Sequence, residues 1–580
     1  MLKKVLPPNL RFIFGFMTRD KSKLAIVFLL CVFASVFNIV EPLLAKRIVD
    51  NAFQIEDERE LLAPAALWLA IFTAKSCVQY FAKRLNLRYK KAVVERLKVF
   101  LFNDILQKPA QFFHEHSPAY IVSRINNDVE TLDGLMLTNL LSRLWSALES
   151  VVILWLMSRI SVSLTAIAVL LKLLELYINL VFPLKKLYKE HNEALAVLDK
   201  EMLNALTCVK LIKAANKAQD ETQRYRQEIR RYLQARWARD TVNIVIEVIS
   251  RFAIELSYPL VVIIGGLFIF YGWTTIGAVM AFLLYFQKLI PLFNNAAYIV
   301  PIFKIAQAAS ERIYEIVALP KENAKGIPQA ISVDSIEFRH VGLAYGQKIV
   351  LNDFNMRLSP NKVTALVGLS GAGKSSVANM LLGFVRLTSG KILLNGKDLN
   401  AYDLAAIRNS IALVTQDDIL LSRSLQENIL YCCKPQDNWQ NELTKALRAA
   451  NVGGIIDRLP QGLATPVLEN GVNLSGGERQ RVCIAREMLK QAPVNIFDEA
   501  TSALDAVSEQ IVINNLQKIK KRGIVLLITH KLCNVRDADI VYVLDEGKIV
   551  EAGTHSELME NKGFYYTLYL EQNKETRDAQ

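Results

Sequence analysis

Gly368-Leu369-Ser370-Gly371-Ala372-Gly373-Lys374-Ser375 decides the fold of the C-terminal half of the chain. The stretch fits G-x-x-x-x-G-K-[ST], follows the apolar run Val363–Val367, and opens a predicted helix near Lys374. Strand, glycine turn and helix in that order make a phosphate cradle. The glycines let backbone N–H groups around Gly368, Ser370, Gly371 and Gly373 curl about phosphate oxygens, and the helix N-terminus adds a favourable field. Lys374 is expected to supply charge to the β- and γ-phosphates of ATP. The Ser375 hydroxyl is expected to reach Mg²⁺, and Ser376 to belong to the same phosphate-binding set.

Further along, the apolar run Val494-Asn495-Ile496-Phe497 delivers Asp498 and Glu499 at its end. Asp498 suits Mg²⁺ coordination, directly or through water, and Glu499 is placed to polarise an attacking water. Asn495 is a polar residue in this otherwise apolar strand, without an assigned role. From Ile331 onward short β-branched runs alternate with helical segments, the pattern of an α/β domain.

Working outward, the N-terminal half is different in kind. Apolar stretches at about 23–48, 61–82, 134–158, 160–184, 243–271 and 275–302 are each near or above the roughly 20 residues that cross a bilayer as a helix. Mean hydropathy is +0.22, yet 22% of residues are charged, as expected for an oily part joined to a soluble one. The net charge of +13 is concentrated beside the apolar runs, at Lys3, Lys4, Arg11, Arg19, Lys83, Arg84 and Arg88 among others. That distribution follows the positive-inside rule and argues against nucleic-acid binding. The loop with Glu56, Asp57, Glu58 and Glu60 is expected outside, and the basic segments 84–133 and 186–242 in the cytoplasm. Residues 10–17 form either an amphipathic helix on the inner membrane face or an ordinary basic flank. The seven cysteines show no metal-ligand spacing and no disulfide framework, and no cleavable signal precedes the first apolar run.

Leu474-Ser475-Gly476-Gly477-Glu478-Arg479-Gln480 resembles the signature motif of the ATP-binding cassette (ABC) family. With the glycine loop and the Asp498-Glu499 pair, the chain resembles the exporter branch of that family, half-transporters related to bacterial lipid, drug and peptide exporters. The resemblance implies an all-α membrane domain of six helices followed by an α/β P-loop cassette. The expected boundaries are 1–320 for the membrane domain, 321–330 for a linker, 331–570 for the cassette and 571–580 for a polar tail. It further implies an adenine-stacking role for Tyr345, Mg²⁺ sensing for Gln416, γ-phosphate contact for His530, and a dimer-crossing loop at Ser502–Asp505. Glu469 matches an acidic position near the coupling helices, with Leu468 in place of the usual glycine, and Glu478 replaces the commoner glutamine. Ser475 and Gly477 of one cassette are expected to close over ATP held by another, so two chains are needed. A homodimer follows from the intact set, with a heterodimer as the alternative.

Ionisable residues inside the spans include Arg143, Glu149, Lys172, Glu175, Glu247, Arg251, Glu255 and Lys288. Glu247, Arg251 and Glu255 share one helix face. That face either lines a cavity, forms cross-span pairs, or pairs locally. Phe112–Asp128 and Lys210–Glu221 resemble the two coupling segments, and His114 and His116 are read as surface residues rather than metal ligands. The resulting expectation is a multi-pass inner-membrane exporter that uses ATP and Mg²⁺ to move an amphipathic peptide, lipid or drug. A flippase dedicated to one lipid, or an importer on the same fold, is the alternative. The apolar spans argue against a soluble cassette protein, and intact Glu499 and His530 against a channel regulator.

Overall fold

The computed structural model describes residues 7–52, 58–181, 184–297, 299–322, 332–433 and 439–578. The acidic loop positions Glu56 and Asp57, and residues 323–330 of the expected linker, lie outside them. The chain divides into two compact units. One comprises Met1–Asn103 and Ala119–Ala318, the other Asp104–Pro118 and Leu319–Gln580.

The first unit is helical. Its principal helices are α1 (Pro8–Met17), α2 (Lys21–Ala52), α3 (Glu58–Leu106), α4 (Leu137–Ile160), α5 (Val162–Val181), α6 (Leu184–Thr207), α7 (Ala218–Phe270), α8 (Ile276–Ala297) and α9 (Ile299–Ala318). Among the described residues, Pro8–Asn51, Leu62–Leu106, Leu137–Ile160 and Ala218–Phe270 are long and apolar enough to cross a membrane. The other two expected spans fall on α5 and on α8, whose apolar part is Ile276–Pro291. Helices α3 and α7 have 49 and 53 residues. At ~1.5 Å per residue both are more than twice as long as the ~30 Å hydrocarbon layer is thick, so each continues well outside it.

Helix α1 packs its apolar side against the rest of the helical unit. Leu10, Ile13 and Met17 are buried against Tyr89, Val93, Leu97 and Leu132 of the same unit. Asn9 donates to Ser310 Oγ at 2.9 Å, and Tyr89 Oη donates to the Met17 carbonyl at 2.8 Å. The apolar face is occupied by protein, so these residues are not free to enter lipid.

Two sheets build the second unit. A six-stranded sheet has the order β10-β9-β3-β8-β7-β6, from β3 (Val363–Gly368), β6 (Ile411–Val414), β7 (Val494–Asp498), β8 (Ile524–Ile528), β9 (Ile540–Asp545) and β10 (Lys548–Gly553). All its pairings are parallel except β9 with β10. Every residue of β3, β7 and β8 is buried, the reading expected of strands covered on both faces. An antiparallel sheet orders β2-β1-β4-β5, from β1 (Ile336–Tyr345), β2 (Lys348–Leu358), β4 (Ser389–Leu394) and β5 (Lys397–Asp398). The helices that matter for function are α10 (Lys374–Leu381), α11 (Gly476–Leu489), α12 (Ala506–Ile519) and α13 (Phe564–Asp578). Asn495 finds its explanation here, since its side-chain amide donates to the Ala492 carbonyl at 3.0 Å and closes the turn that enters β7.

Candidate functional site

The carboxyl ends of β3, β7 and β8 meet at one edge of the large sheet, where open parallel sheets bind ligands. Register pairs Leu366 with Ile528 and Asp498 with Ile528. Two backbone bonds extend that register past the strands: Glu499 N–H to the Ile528 carbonyl at 2.9 Å, and Thr529 N–H to the Leu366 carbonyl at 3.2 Å. Gly368, the Asp498-Glu499 pair and His530 therefore leave the sheet side by side, although Gly368 precedes the pair by 130 positions and His530 follows it by 31.

Gly368 has φ +156, and a Cβ there would lie 2.2 Å from the Leu544 carbonyl oxygen. Only glycine lets the loop start this close to β9. Lys374 is buried at the head of α10, and its ammonium donates to the carbonyls of Gly368 and Leu369 at 3.0 and 2.8 Å. Burial lowers its pKa, while the carboxylates of Glu499 and Asp498 work the other way. Ser370, Gly371 and Ser375 are exposed along the loop, and Ser376 is buried behind it, its N–H donating to the Gly373 carbonyl at 3.1 Å.

Asp498 is also buried, and burial pushes its pKa up, against a hydrogen bond from Ser375. Its Oδ1 is buried and has no hydrogen-bond partner. An anionic oxygen held out of water and left unpaired, beside a serine hydroxyl, is a donor set for a hard divalent cation. Ser375 and Asp498 thus fit Mg²⁺ on this structure's own terms.

Glu499 sits with φ +49, in the left-handed region that a residue with a Cβ enters at a cost of about 1 kcal/mol or more. Its two carboxylate oxygens have different partners. Gln416, just after β6, donates to Oε2 at 3.0 Å, and His530 Nδ1 lies 3.2 Å from Oε1. Gln416, Glu499 and His530, each singled out separately from the sequence, form one contiguous group.

A second group gathers at the start of α11. Ser475 caps that helix, accepting from the Glu478 N–H at 3.3 Å while Glu478 accepts from the Ser475 N–H at 2.8 Å. Glu478 also pairs with Arg458. A Cβ on Gly477 would lie 2.8 Å from the Ala503 carbonyl, so the close approach of the Ser502–Asp505 loop requires glycine. Asp505 caps α12 by accepting from the Ser508 N–H at 3.1 Å, and it pairs with Arg481 at 3.1 Å. Tyr345 ends β1 with a half-exposed ring. Glu469 opens a single 3₁₀ turn over Glu469–Gly471.

The residue that sequence reasoning left without a role is Gln480. Wholly buried, it accepts from the Ala503 N–H at 3.1 Å and donates to the Glu499 carbonyl at 3.4 Å. It ties the second group to the first. Its place as the last residue of the quoted Leu474–Gln480 motif was the available signal. Within Phe112–Asp128, His116 stacks on Phe112 at 4.6 Å between ring centroids.

Comparison with known proteins gives the family. The family model described as ABC transporter matches residues 351–502, and that of the ABC transporter transmembrane region matches residues 24–291. An uncharacterized ABC transporter ATP-binding protein of Bacillus subtilis is 29% identical over 97% of this chain and 94% of its own length. An ATP-dependent lipid A-core flippase of Albidiferax ferrireducens is 30% identical, covering 91% of this chain and 92% of that protein. The solved structure of a bacterial Atm1-family ABC exporter with ATP bound superposes with a TM-score of 0.78 at 21% identity, over 96% of this chain and 99% of that one. The chain belongs to the ABC transporter family, with a membrane-spanning region and an ATP-hydrolysing cassette joined in one chain of exporter architecture that couples ATP hydrolysis to transport.

Proposed function

We propose that two copies of this chain form an exporter in a bacterial inner membrane that moves an amphipathic molecule out of the cytoplasmic leaflet or the cytoplasm. The observation that carries this reading is Glu499, held between Gln416 and His530 beside the unpaired Asp498 oxygen. A hydrolytic site needs a base, a group that orients it, and a cation seat together in one place.

Within that reading the loop from Gly368 to Ser376 cradles the phosphates of ATP, Lys374 neutralises their charge, and Tyr345 stacks on adenine. Ser375, Asp498 and Gln416 hold Mg²⁺, which supplies charge neutralisation at the β- and γ-phosphates. Glu499 orients the attacking water, and His530 fixes the Glu499 carboxylate and meets the γ-phosphate. Ser475, Gly477 and Asp505 serve the ATP of the second copy. This is why one chain, with one set of motifs, is half of the working unit. ATP favours the state in which the two cassettes are closed together, and hydrolysis releases it. Residues 1–320 form the membrane domain in this reading, and 331–570 the cassette.

An amphipathic cargo is supported by the membrane spans, where charges of both signs occur within apolar helices. The test is ATP turnover of the purified protein in lipid nanodiscs against panels of lipids, peptides and amphipathic drugs, with Glu499→Gln as control. Stimulation by one class, abolished in the variant, supports the homodimer and names the cargo. Stimulation by a single lipid alone identifies a dedicated flippase. Absence of turnover in the wild-type protein overturns the homodimer and points to a second, different chain.

A further inference from the structure

The loop that presents His530 is held from outside the large sheet by a residue of the last helix. Gln572, on α13, donates from its side-chain nitrogen to the His530 carbonyl at 2.6 Å and accepts from the Leu532 N–H at 3.0 Å. The two partners are a backbone carbonyl and a backbone N–H, so the orientation of the amide is determined by chemistry. A side-chain amide bridging the C=O of one residue and the N–H two residues on imitates a strand partner. It fixes the peptide planes on either side of Lys531, and with them the direction of the His530 side chain.

The helix that carries Gln572 is itself anchored. At its start, the N–H groups of Phe564 and Tyr565 donate to the Glu551 carboxylate at 2.7 and 2.9 Å. Tyr565 is wholly buried, and its hydroxyl lies 2.8 Å from His555 Nδ1. One turn further on, the Tyr569 hydroxyl accepts from Arg536, at the far end of the His530 loop, with the guanidinium over the Tyr569 ring at 5.6 Å. The other side of the loop is held by Lys531 on Glu509 at 3.0 Å and Asn534 on Glu509 at 2.8 Å. The segment 530–536 is thus clasped between α12 and α13, and the α13 side reaches the backbone of His530 itself.

We infer that Gln572 is a positioning residue for ATP hydrolysis. Through its two backbone bonds, α13 sets the His530 ring against the Glu499 carboxylate, so the C-terminal helix is part of the hydrolytic machinery without touching nucleotide. The inference rests on the hydrolytic role of His530 given above, and its test separates the two.

The variants are Gln572→Met, which keeps the side-chain length and loses both bonds, Gln572→Glu, which keeps the acceptor and sets a carboxylate against the His530 carbonyl, His530→Ala, and the double variant His530→Ala/Gln572→Met. All are made in the full chain in nanodiscs, and kcat, KM for ATP and Tm are read. Gln572→Met and Gln572→Glu are expected to lower kcat about tenfold or more, as a small misplacement of a reacting group does. KM for ATP should stay at the wild-type value, and Tm should fall by no more than about 4 °C, the loss of two hydrogen bonds. In the double variant, Gln572→Met should add nothing to the loss from His530→Ala. Wild-type kcat in Gln572→Met, or losses that multiply in the double variant, would overturn the inference while leaving the role of His530 standing. Wild-type kcat in His530→Ala would instead overturn the reading of the site, and the inference with it.

Discussion

Arg408 donates from both terminal guanidinium nitrogens to the two carboxylate oxygens of Glu322, at 2.6 and 2.8 Å. The same guanidinium donates from Nε to the Leu382 carbonyl at 3.1 Å, at the C-terminal end of α10, the helix that starts at Lys374. On the other side, the Glu322 N–H donates to the Gln107 carbonyl at 2.9 Å. Its neighbour Lys321 pairs with Asp104 at 2.8 Å, and Asp104 pairs with Lys108 at 3.0 Å, with both of those side chains buried. A continuous polar path therefore runs from the phosphate-loop helix to residues 104–108 within one compact unit. Arg408→Ala is expected to cost about 1–3 kcal/mol, the range for hydrogen bonds to charged groups in partly buried surroundings. Arg408→Lys should recover only part of it, since an ammonium cannot reproduce the fork. Thermal unfolding of Arg408→Ala, of Glu322→Gln and of the double variant Arg408→Ala/Glu322→Gln checks the pairing. Strictly additive losses would show that the contact contributes no coupling.

Gln480 gives a second expectation, on chemistry rather than stability. Its amide joins the Ala503 N–H to the Glu499 carbonyl, so it sets where the strained Glu499 backbone sits. Gln480→Met keeps the buried volume and removes both bonds. A loss of about 1 kcal/mol in stability is expected from the bonds, with a fall in kcat and little change in KM for ATP. A rise in KM with kcat intact would mean that Gln480 supports nucleotide binding instead.

What could be read from the chain, and what could not, follows from how far apart the partners lie. The phosphate loop is contiguous, and its chemistry needs glycines, a lysine and a serine at fixed local spacing. It was legible at once, as was the Asp498-Glu499 pair at the end of an apolar strand. That Gln416 and His530 grip opposite oxygens of Glu499 is a property of strand order, which no local pattern carries. Membrane charges show the same contrast. Glu247, Arg251 and Glu255 share a face, but the pairing seen is the local one, Arg251 on Glu247 at 2.9 Å, with both side chains about two-thirds exposed. Lys288 and Glu149 do join a cross-helix network, through Glu41, Lys75 and Asn38. Glu41 and Lys75 carry the same signal as Glu149, an ionisable residue within an expected span, although the sequence reading did not single them out, whereas Asn38 carries none.

Asp418, two residues beyond Gln416, gives a pH expectation. Burial pushes its pKa up to about 6, outweighing Arg479 nearby, and its Oδ1 is buried without a partner. The folded protein therefore favours the protonated acid more than the unfolded chain does. That advantage is complete below the ordinary carboxyl range and is lost as pH rises through about 6. Above that pH the wild-type protein carries a poorly solvated charge that Asp418→Asn lacks. The variant is expected to be more stable at pH 8 by about 1–2 kcal/mol after allowance for partial solvent screening, and no more stable near pH 4. Tm measured across that range is the check. A constant difference between the two proteins would show that the carboxyl does not titrate between pH 4 and 8.

The cross-helix network makes the sharpest stability expectation. Glu41 on α2 is bracketed by two cations, Lys75 of α3 at 3.1 Å and Lys288 of α8, and the Lys288 ammonium also donates to the Asn38 carbonyl at 3.2 Å. Asn38 in turn donates to the buried Glu149 of α4 at 2.8 Å. The side chains of Glu41, Lys75 and Lys288 are each less than one-fifth exposed, so their charges have few other partners. Removing one lysine leaves Glu41 with the other. Removing the glutamate leaves two ammonium groups facing each other in apolar surroundings, where breaking a buried pair costs about 3–5 kcal/mol. Glu41→Gln should therefore be much more damaging than Lys288→Met, and Lys75→Met should restore part of the loss when added to Glu41→Gln. Thermal stability in detergent, followed by size-exclusion chromatography, ranks the variants. Equal losses for Glu41→Gln and Lys288→Met, with no rescue, would mean that solvent rather than Glu41 compensates the two lysines.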